Sequence, residues 1–299
     1  LKPAPFTYFA PQSLDEALGL LSESGYDGKV LAGGQSLVPA MNFRLAQPSI
    51  LIDLNGIDAL FYVIPGRGGG LQIGAMTRHR TVERSDLVAT RAPLLHAAMP
   101  HIAHVQIRNR GTLGGSLAHA DPAAELPAVM VALDARFRLQ SARGERWVPA
   151  ADFYIGLFTT ALAPDELLVE IAAPPQPPHS GWSFQEIARR PGDYAIVGVA
   201  ATVYLDATGR CTEARLVYLS VGEGPTTAHN ASAILRWQTP TVEAIAAAAH
   251  TAAYQDVDPL ADIHATADYR RHLVEVLGKR ALTEAFARAT EPHPSVLRA

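Results

Sequence analysis

The sequence predicts an α+β fold, on three observations. Residues 29–31, a helix-like stretch and residues 50–54 make one βαβ-type unit. A glycine-rich tip at 66–70 between the apolar stretches 61–64 and 71–74 marks a hairpin outside that unit. Three alternating strand patterns within 182–220 are followed by helical periodicity.

In order, residues 6–11 read as an extended entry. Ser13 with Glu16 forms a capping box, in which each side chain satisfies an orphan N–H at the helix start. Leu14, Ala17, Leu18 and Leu21 then share one helical face, and Gly25 stops the helix. Residues 29–31 are a short buried strand, 37–41 are helix-like, and 50–54 are a second strand closed by Asn55-Gly56. Residues 77–85 read as a short capped helix, and 93–104 are apolar at helical spacing. Residues 126–133 are a buried helix with Pro127 in its first turn, where the missing N–H costs nothing. Strands are expected at 136–140, 147–153 and 167–171.

The stretch 174–178, Pro-Pro-Gln-Pro-Pro, is a semi-rigid link. It divides the chain into 1–176, with lobes of about 1–56 and 57–176, and 177–299. Beyond it, 182–188, 195–205 and 211–220 alternate as three strands, with a hairpin turn at 206–209. Residues 242–254 and 266–287 are helical, the second with Tyr269, Leu273, Val276, Leu277, Arg280 and Ala281 on one side.

Composition narrows the function. The chain has 299 residues, 48% of them hydrophobic, enough for two or three packed lobes. A net charge of −4 argues against a nucleic-acid footprint. Only 18% of residues are charged, which fits either partner-covered faces or the dilution that an alanine-rich sequence produces. The single cysteine, Cys211, excludes an internal disulfide and cannot hold an iron–sulfur cluster, which needs about four ligands. Its strand-like setting suits a buried small hydrophobe. No apolar run reaches the ~20 residues of a membrane span, and residues 2–6 do not resemble a signal peptide, so a cytoplasmic setting is expected.

Two glycine pairs carry the chemistry. Ala32-Gly33-Gly34-Gln35-Ser36 follows a strand and precedes a helix start, a place that attracts phosphate oxygens. Arg108-Asn109-Arg110-Gly111 is a sharp turn, after which Thr112, Gly114, Gly115 and Ser116 repeat the same grammar. Paired glycines let backbone approach a ligand, take positive φ cheaply and present successive N–H groups as an anion nest. Neither Gly-Gly-hydroxyl stretch contains Lys or Arg, which suggests a diphosphate held between neutral backbone donors.

These two motifs, with Ala188-Arg189-Arg190-Pro191-Gly192-Asp193-Tyr194-Ala195 and the stretch 268–273, resemble the FAD-binding medium subunit of molybdenum hydroxylases. That family includes carbon monoxide, quinoline, nicotine and caffeine dehydrogenases and the FAD domain of xanthine dehydrogenase. The resemblance covers nearly the whole chain. It implies a PCMH-type FAD-binding fold, a small βαβ lobe plus a larger mixed lobe, followed by a C-terminal three-stranded sheet with helices. It implies that Gly33, Gly34, Ser36, Gly111, Thr112, Gly114, Gly115 and Ser116 embrace the FAD phosphates and ribityl chain. Val30, Leu31, Ala32, Gln35, Leu37 and Ala118 would line the same path. Asp121 and Glu125 follow the second loop beside the cofactor, Glu125 being the one that would face its hydroxyls, and Tyr194 would stack on the isoalloxazine. Arg189 would lie at the N1–C2=O end or bridge to a partner, with Ile102 and Leu168 near the ring edge.

By the same resemblance, no residue here is a hydrolytic acid or base, and the flavin carries the chemistry. Molybdopterin and two [2Fe–2S] clusters are expected on a large and a small partner subunit, in a dimer of heterotrimers. Gln35 departs from the carbon monoxide dehydrogenases, which usually have histidine there, and favours N-heteroaromatic substrates. The alternatives are a carbon monoxide dehydrogenase subunit, a self-contained flavin oxidase and a non-catalytic nucleotide-binding scaffold. For Gly33, Gly34, Gly114 and Gly115 the competing reading is plain turns, for Glu125 a helix first turn, and for Tyr194 a core tyrosine. His101, His104 and His119 lack metal-site spacing.

Overall fold

The extended entry is itself a strand, β1 (Thr7–Phe9), paired in parallel with β3 (Ile50–Asp53). The computed structural model describes residues 2–291; residue 1 and residues 292–299, the end of the expected C-terminal domain, lie outside the described residues. Helix α1 (Leu14–Ser24) is capped by Ser13, and Gly25 ends it at φ 54°. The Glu16 carboxylate reaches back to the N–H of Gln12, one residue before the cap. Its Ala17, Leu18 and Leu21 bury against Ile52 and Leu54. β2 (Gly28–Leu31) leads through the first glycine loop to α2 (Leu37–Asn42), giving a parallel sheet in the order β1-β3-β2. β2 is only half-buried, because it lies at the sheet edge.

The second lobe is built on a five-stranded antiparallel sheet. Its order is β4 (Val63–Pro65), β5 (Leu71–Gly74), β10 (Leu167–Ala173), β6 (Arg136–Ser141) and β7 (Gly144–Pro149). The hairpin at 66–70 is present as expected. Residues 150–153, expected to continue a strand, form α9 (Ala150–Phe153), followed by the small hairpin β8 (Tyr154–Gly156) and β9 (Thr159–Thr160). The helices of this lobe are α3 (His79–Glu83), α4 (Asp86–Arg91), α5 (Pro93–Ala98), α6 (Val105–Arg108), α7 (Leu113–His119) and α8 (Glu125–Ala132). Thr77 does not cap α3; its hydroxyl accepts from the N–H of Tyr62 and donates to the Tyr62 carbonyl.

Every residue of α8 is buried, as a helix apolar on all sides must be. It packs between α5 and α7 and the next sheet, which explains why that sheet is apolar on both faces. That sheet runs β11 (Ser180–Ala188), β12 (Ala195–Leu205), β13 (Cys211–Leu219) and β14 (Thr226–Thr227), so it has four strands and not the expected three. β12 is buried along almost its whole length. Cys211 is buried at the start of β13, and desolvation pushes its thiol up to about 11.

The outer face is covered by α10 (His229–Leu235), α11 (Val242–Thr251) and α12 (Ala267–Thr290). The buried stripe of α12 is Arg270, Leu273, Val274, Leu277, Gly278, Ala281, Leu282, Ala285, Phe286 and Ala289, while Tyr269 and Arg280 point to solvent. The expected face is therefore rotated. Gly181 permits this packing: a Cβ there would lie 1.8 Å from the Ala285 carbonyl oxygen.

Candidate functional site

β2 and β3 run parallel, so their carboxyl ends open on one edge, where open α/β sheets bind ligands. The first glycine loop crosses that edge. Gly34 takes φ 72°, and the Gln35 side-chain amide donates to the Gly33 carbonyl at 3.0 Å, bracing the turn from inside. The backbone N–H groups of Gly33, Gly34, Gln35 and Ser36 donate to no acceptor among the described residues. The Ser36 hydroxyl makes no capping bond. The N–H groups of Gly33, Gly34 and Gln35 border a cleft of about 300 Å³ lined by Leu31–Gln35, Val38, Pro39, Asp53, Asn55 and Arg110, with Ser36 exposed just beyond it. Val30 packs into the lobe's core and does not line the cleft, and Leu37 is only half-buried at the start of α2.

The second glycine motif meets the first. A Cβ on Gly33 would lie 2.4 Å from the Arg110 carbonyl oxygen and 2.7 Å from Gly111 Cα. A Cβ on Gly115 would lie 3.3 Å from Ala32 Cβ. The expected amide nest at Gly114-Gly115 is not there, however. Both glycines lie in the first turn of α7, whose N–H groups are already used. Leu113 donates to the Thr77 carbonyl, Gly114 to that of Ala75, Gly115 to Thr112 Oγ1 and Ser116 to the Thr112 carbonyl. Thr112 is thus a buried helix cap. Gly114 is required by contact, since its Cβ would fall 2.5 Å from that of Ala75. The open donors belong to the first loop, and the second is the anvil against which it rests. The edge is also not free of cations, because Arg110 lines the cleft.

Polar residues outside both motifs fix this contact. Asn55 donates to the Ala32 carbonyl at 2.9 Å and accepts from Arg78, which also donates to the Arg110 carbonyl. One guanidinium so joins both loops. Under them lies His79, whose Nε2 is 2.9 Å from the Thr112 carbonyl. Burial and the guanidiniums of Arg108 and Arg78 lower its pKa to about 4, so the ring is neutral and Nε2–H donates. Arg108 is buried too. Its Nε and Nη2 meet Glu83, and Nη1 donates to the carbonyls of Ile102 and Ala103. Sequence reasoning missed Asn55, Arg78 and His79 as site supports; the Asn55-Gly56 turn was the one local signal.

A second group gathers at the far end of α7. Asp121 closes a turn by accepting from the N–H of Ala123. Glu125, at the first position of α8, is 7% exposed. Tyr194 is 68% exposed, and partial burial, then the charges of Asp121 and Glu125, raise its hydroxyl pKa. Arg189 is exposed on the same turn, and a Cβ on Gly192 would strike the His104 ring. Ile102 belongs to the main apolar core, as does Leu168 at a bulge of β10. Ser116 and Ala118 are half-buried along α7. His101 faces Glu186 at 3.5 Å and packs edge-on against Phe184; His119 packs on Phe158. No group of metal-ligating side chains occurs among the described residues.

Desolvation, then the nearby Glu186, raises the Glu125 carboxyl from the ordinary 4.5 to about 8. The folded chain keeps a proton that the unfolded chain has released, so this contribution to stability is full below about 4.5 and is lost as pH rises toward 8. Glu125→Gln should remove that slope. In the flavin-free chain it should melt several degrees higher than the native protein at pH 8.5, with little difference at pH 4.5. Parallel melting curves for the two proteins across that range would contradict the assignment.

Residues 4–176 match the family described as the FAD binding domain in molybdopterin dehydrogenase, and residues 182–285 match the carbon monoxide dehydrogenase flavoprotein C-terminal domain. The chain is 44% identical over 289 residues to the 6-hydroxypseudooxynicotine dehydrogenase complex subunit alpha of Paenarthrobacter nicotinovorans, covering 97% of each. The solved carbon monoxide dehydrogenase of Hydrogenophaga pseudoflava superposes with a TM-score of 0.93 at 39% identity, over 96% of this chain and 99% of that one. Quinoline 2-oxidoreductase from Pseudomonas putida 86 gives 0.91 at 38% identity, over 97% and 100%.

Proposed function

The chain belongs to the FAD-binding medium subunits of the molybdenum hydroxylases, and from that premise we propose that it passes electrons from a partner's [2Fe–2S] clusters to an external acceptor. The observation that carries this reading is the row of open amides at Gly33–Ser36, braced on Arg110–Gly111 beside a cleft at the strand ends. Such a cradle suits a diphosphate, which takes its hydrogen bonds from backbone donors that lose no side-chain entropy. Arg110 adds a cation at the same edge. Gly115 meets the loop at Ala32, while Thr112 caps α7 and Gly114 seats that helix on Ala75.

From there the seven-residue helix α7, about 10 Å long, leads to the second group. Ser116 and Ala118 border this path, and Asp121 and Glu125 take sugar hydroxyls or ring edges. Tyr194 stacks on the ring, Ile102 packs at its edge, and Arg189 lies at its N1 end or faces a partner. When bound, the flavin supplies the switch between two-electron and one-electron transfer. The residues here bind it, orient it and limit solvent access.

The holoenzyme pairs this chain with a large molybdopterin subunit and a small iron–sulfur subunit, in a dimer of heterotrimers. It acts in the cytoplasm on an N-heteroaromatic substrate. Relatives named for nicotine-derived and quinoline substrates, together with Gln35, favour that class. Carbon monoxide is the second reading, on the likeness to the Hydrogenophaga enzyme.

Purification and reconstitution test the reading. The chain alone should bind about one FAD, turn yellow, and stay oxidised when quinoline, nicotine or carbon monoxide is added. Mixing with the large and small subunits should make a ring substrate bleach the flavin. Bleaching by substrate without partners would establish a self-contained oxidase, and a chain that takes up no flavin would overturn the proposal.

A further inference from the structure

The stretch 268–273 belongs to the resemblance but has no part in the cofactor site proposed above. Its Arg270 lies in the first turn of α12, 6% exposed. Nη1 donates to the carbonyls of Ile196 and Ser220, the latter at 3.0 Å. Nη2 donates to Asp262 Oδ2 at 2.6 Å. Asp262 also accepts from the N–H groups of His264 and Ala265, and these bonds with Arg270 hold its carboxyl down at about 2 despite desolvation. The carboxyl is therefore ionised at neutral pH and the pair intact.

Ser220 receives this grip in a left-handed conformation, φ 63°. Its N–H donates to the Pro122 carbonyl at 2.9 Å, and its hydroxyl donates to the Ala195 carbonyl at 2.7 Å. Pro122 follows Asp121, and Ala195 follows Tyr194. A single chain of hydrogen bonds thus runs from Asp262 through Arg270 and Ser220 to both turns of the second group. No other polar side chain among the described residues donates to the carbonyls of Ala195, Ile196 and Ser220.

We propose that Arg270 is a positioning residue. Through Ser220 it holds the turn carrying Asp121 and Glu125 and the turn carrying Tyr194 in one mutual arrangement, so that the C-terminal domain sets the geometry of that end of the site. Naming that end the flavin end rests on the proposed function; the coupling of the two turns does not. Lysine cannot replace the residue, because a single ammonium lacks the planar fork that reaches Asp262 and two carbonyls at once.

The test is amide hydrogen exchange on the full chain, comparing native protein with Arg270→Lys and with Ser220→Ala. Ser220→Ala is the mild variant, deleting only the hydroxyl bond to Ala195. The reporters are the N–H groups of Ala123 and Ala124 in one turn and of Asp193 in the other, each bonded within its own turn. Exchange should rise about 10-fold or more in both turns together in Arg270→Lys, and chiefly at Asp193 in Ser220→Ala, while β6 and β7 keep native protection. With FAD loaded, iodide should quench flavin fluorescence more strongly in both variants. Native exchange at both turns in Ser220→Ala and Arg270→Lys would overturn the proposal. So would a uniform rise that includes β6 and β7, which is the mark of a general stabiliser. If the chain takes up no flavin, the exchange result still decides the coupling, and only the proposed function fails.

Discussion

Gly33→Ala should strip the chain of FAD, raising the apparent Kd by about 100-fold or more. The new Cβ would sit 2.4 Å from a carbonyl oxygen and 2.7 Å from a Cα, both backbone atoms. That backbone has little room to give. The Gly111 N–H is bonded to Ile107 at 2.7 Å, the Gly111 carbonyl to the His79 N–H at 2.9 Å, and the Arg110 carbonyl to Arg78. The first loop must lift off its support, and overpacking of this kind costs typically 1–3 kcal/mol even where neighbours adjust. The open amides then no longer converge. Titration of flavin-stripped protein with FAD, followed by flavin fluorescence, measures the loss. Gly19→Ala is the control: nothing lies within 4 Å of its added Cβ in α1, so binding should be unchanged and stability slightly raised. Full flavin retention in Gly33→Ala would show that the two loops do not need to touch.

Arg108→Met should lower the melting temperature by roughly 10 °C and sharply reduce soluble yield. The guanidinium is buried, bidentate on Glu83 and bonded to the carbonyls of Ile102 and Ala103. Removing it leaves Glu83 paired with Arg80 alone and the carbonyls of Ile102 and Ala103 without this donor, which costs on the order of 3 kcal/mol against a total of roughly 5–15. Ala103 is held at φ 44° by this contact and should relax without it. Because Ala103 lies against Gly192 on the turn that carries Tyr194, the variant that does fold should hold flavin less tightly. A melting temperature within a degree or two of native would contradict this role.

Periodicity and caps made much of the fold legible. The alternation at 182–188, 195–205 and 211–220 located the long strands of the last sheet to within a residue or two, and Ser13 and Gly25 delimited α1. What escaped were partnerships made at long range. β1 is a strand only because β3 lies beside it, and β14 only because of β13. The α12 face was misread because hydropathy counts Tyr269 as apolar and Arg270 as polar, whereas the buried guanidinium is satisfied by groups up to 74 residues away. Of the site, the first glycine loop was readable, since strand, Gly-Gly and hydroxyl lie together in sequence. The second pair was mistaken for an open nest because the Gly114 acceptor, the Ala75 carbonyl, comes from another part of the chain, and the Thr112 cap takes the Gly115 N–H. Arg78, His79 and Asn55 escaped for the same reason.

The most direct test is a crystal structure of the chain with FAD bound. The pyrophosphate oxygens should accept hydrogen bonds from the N–H groups of Gly33 to Ser36, with the isoalloxazine at the Glu125–Tyr194 end of α7. A diphosphate bound elsewhere, with those four amides turned to solvent, would contradict the assignment of this site.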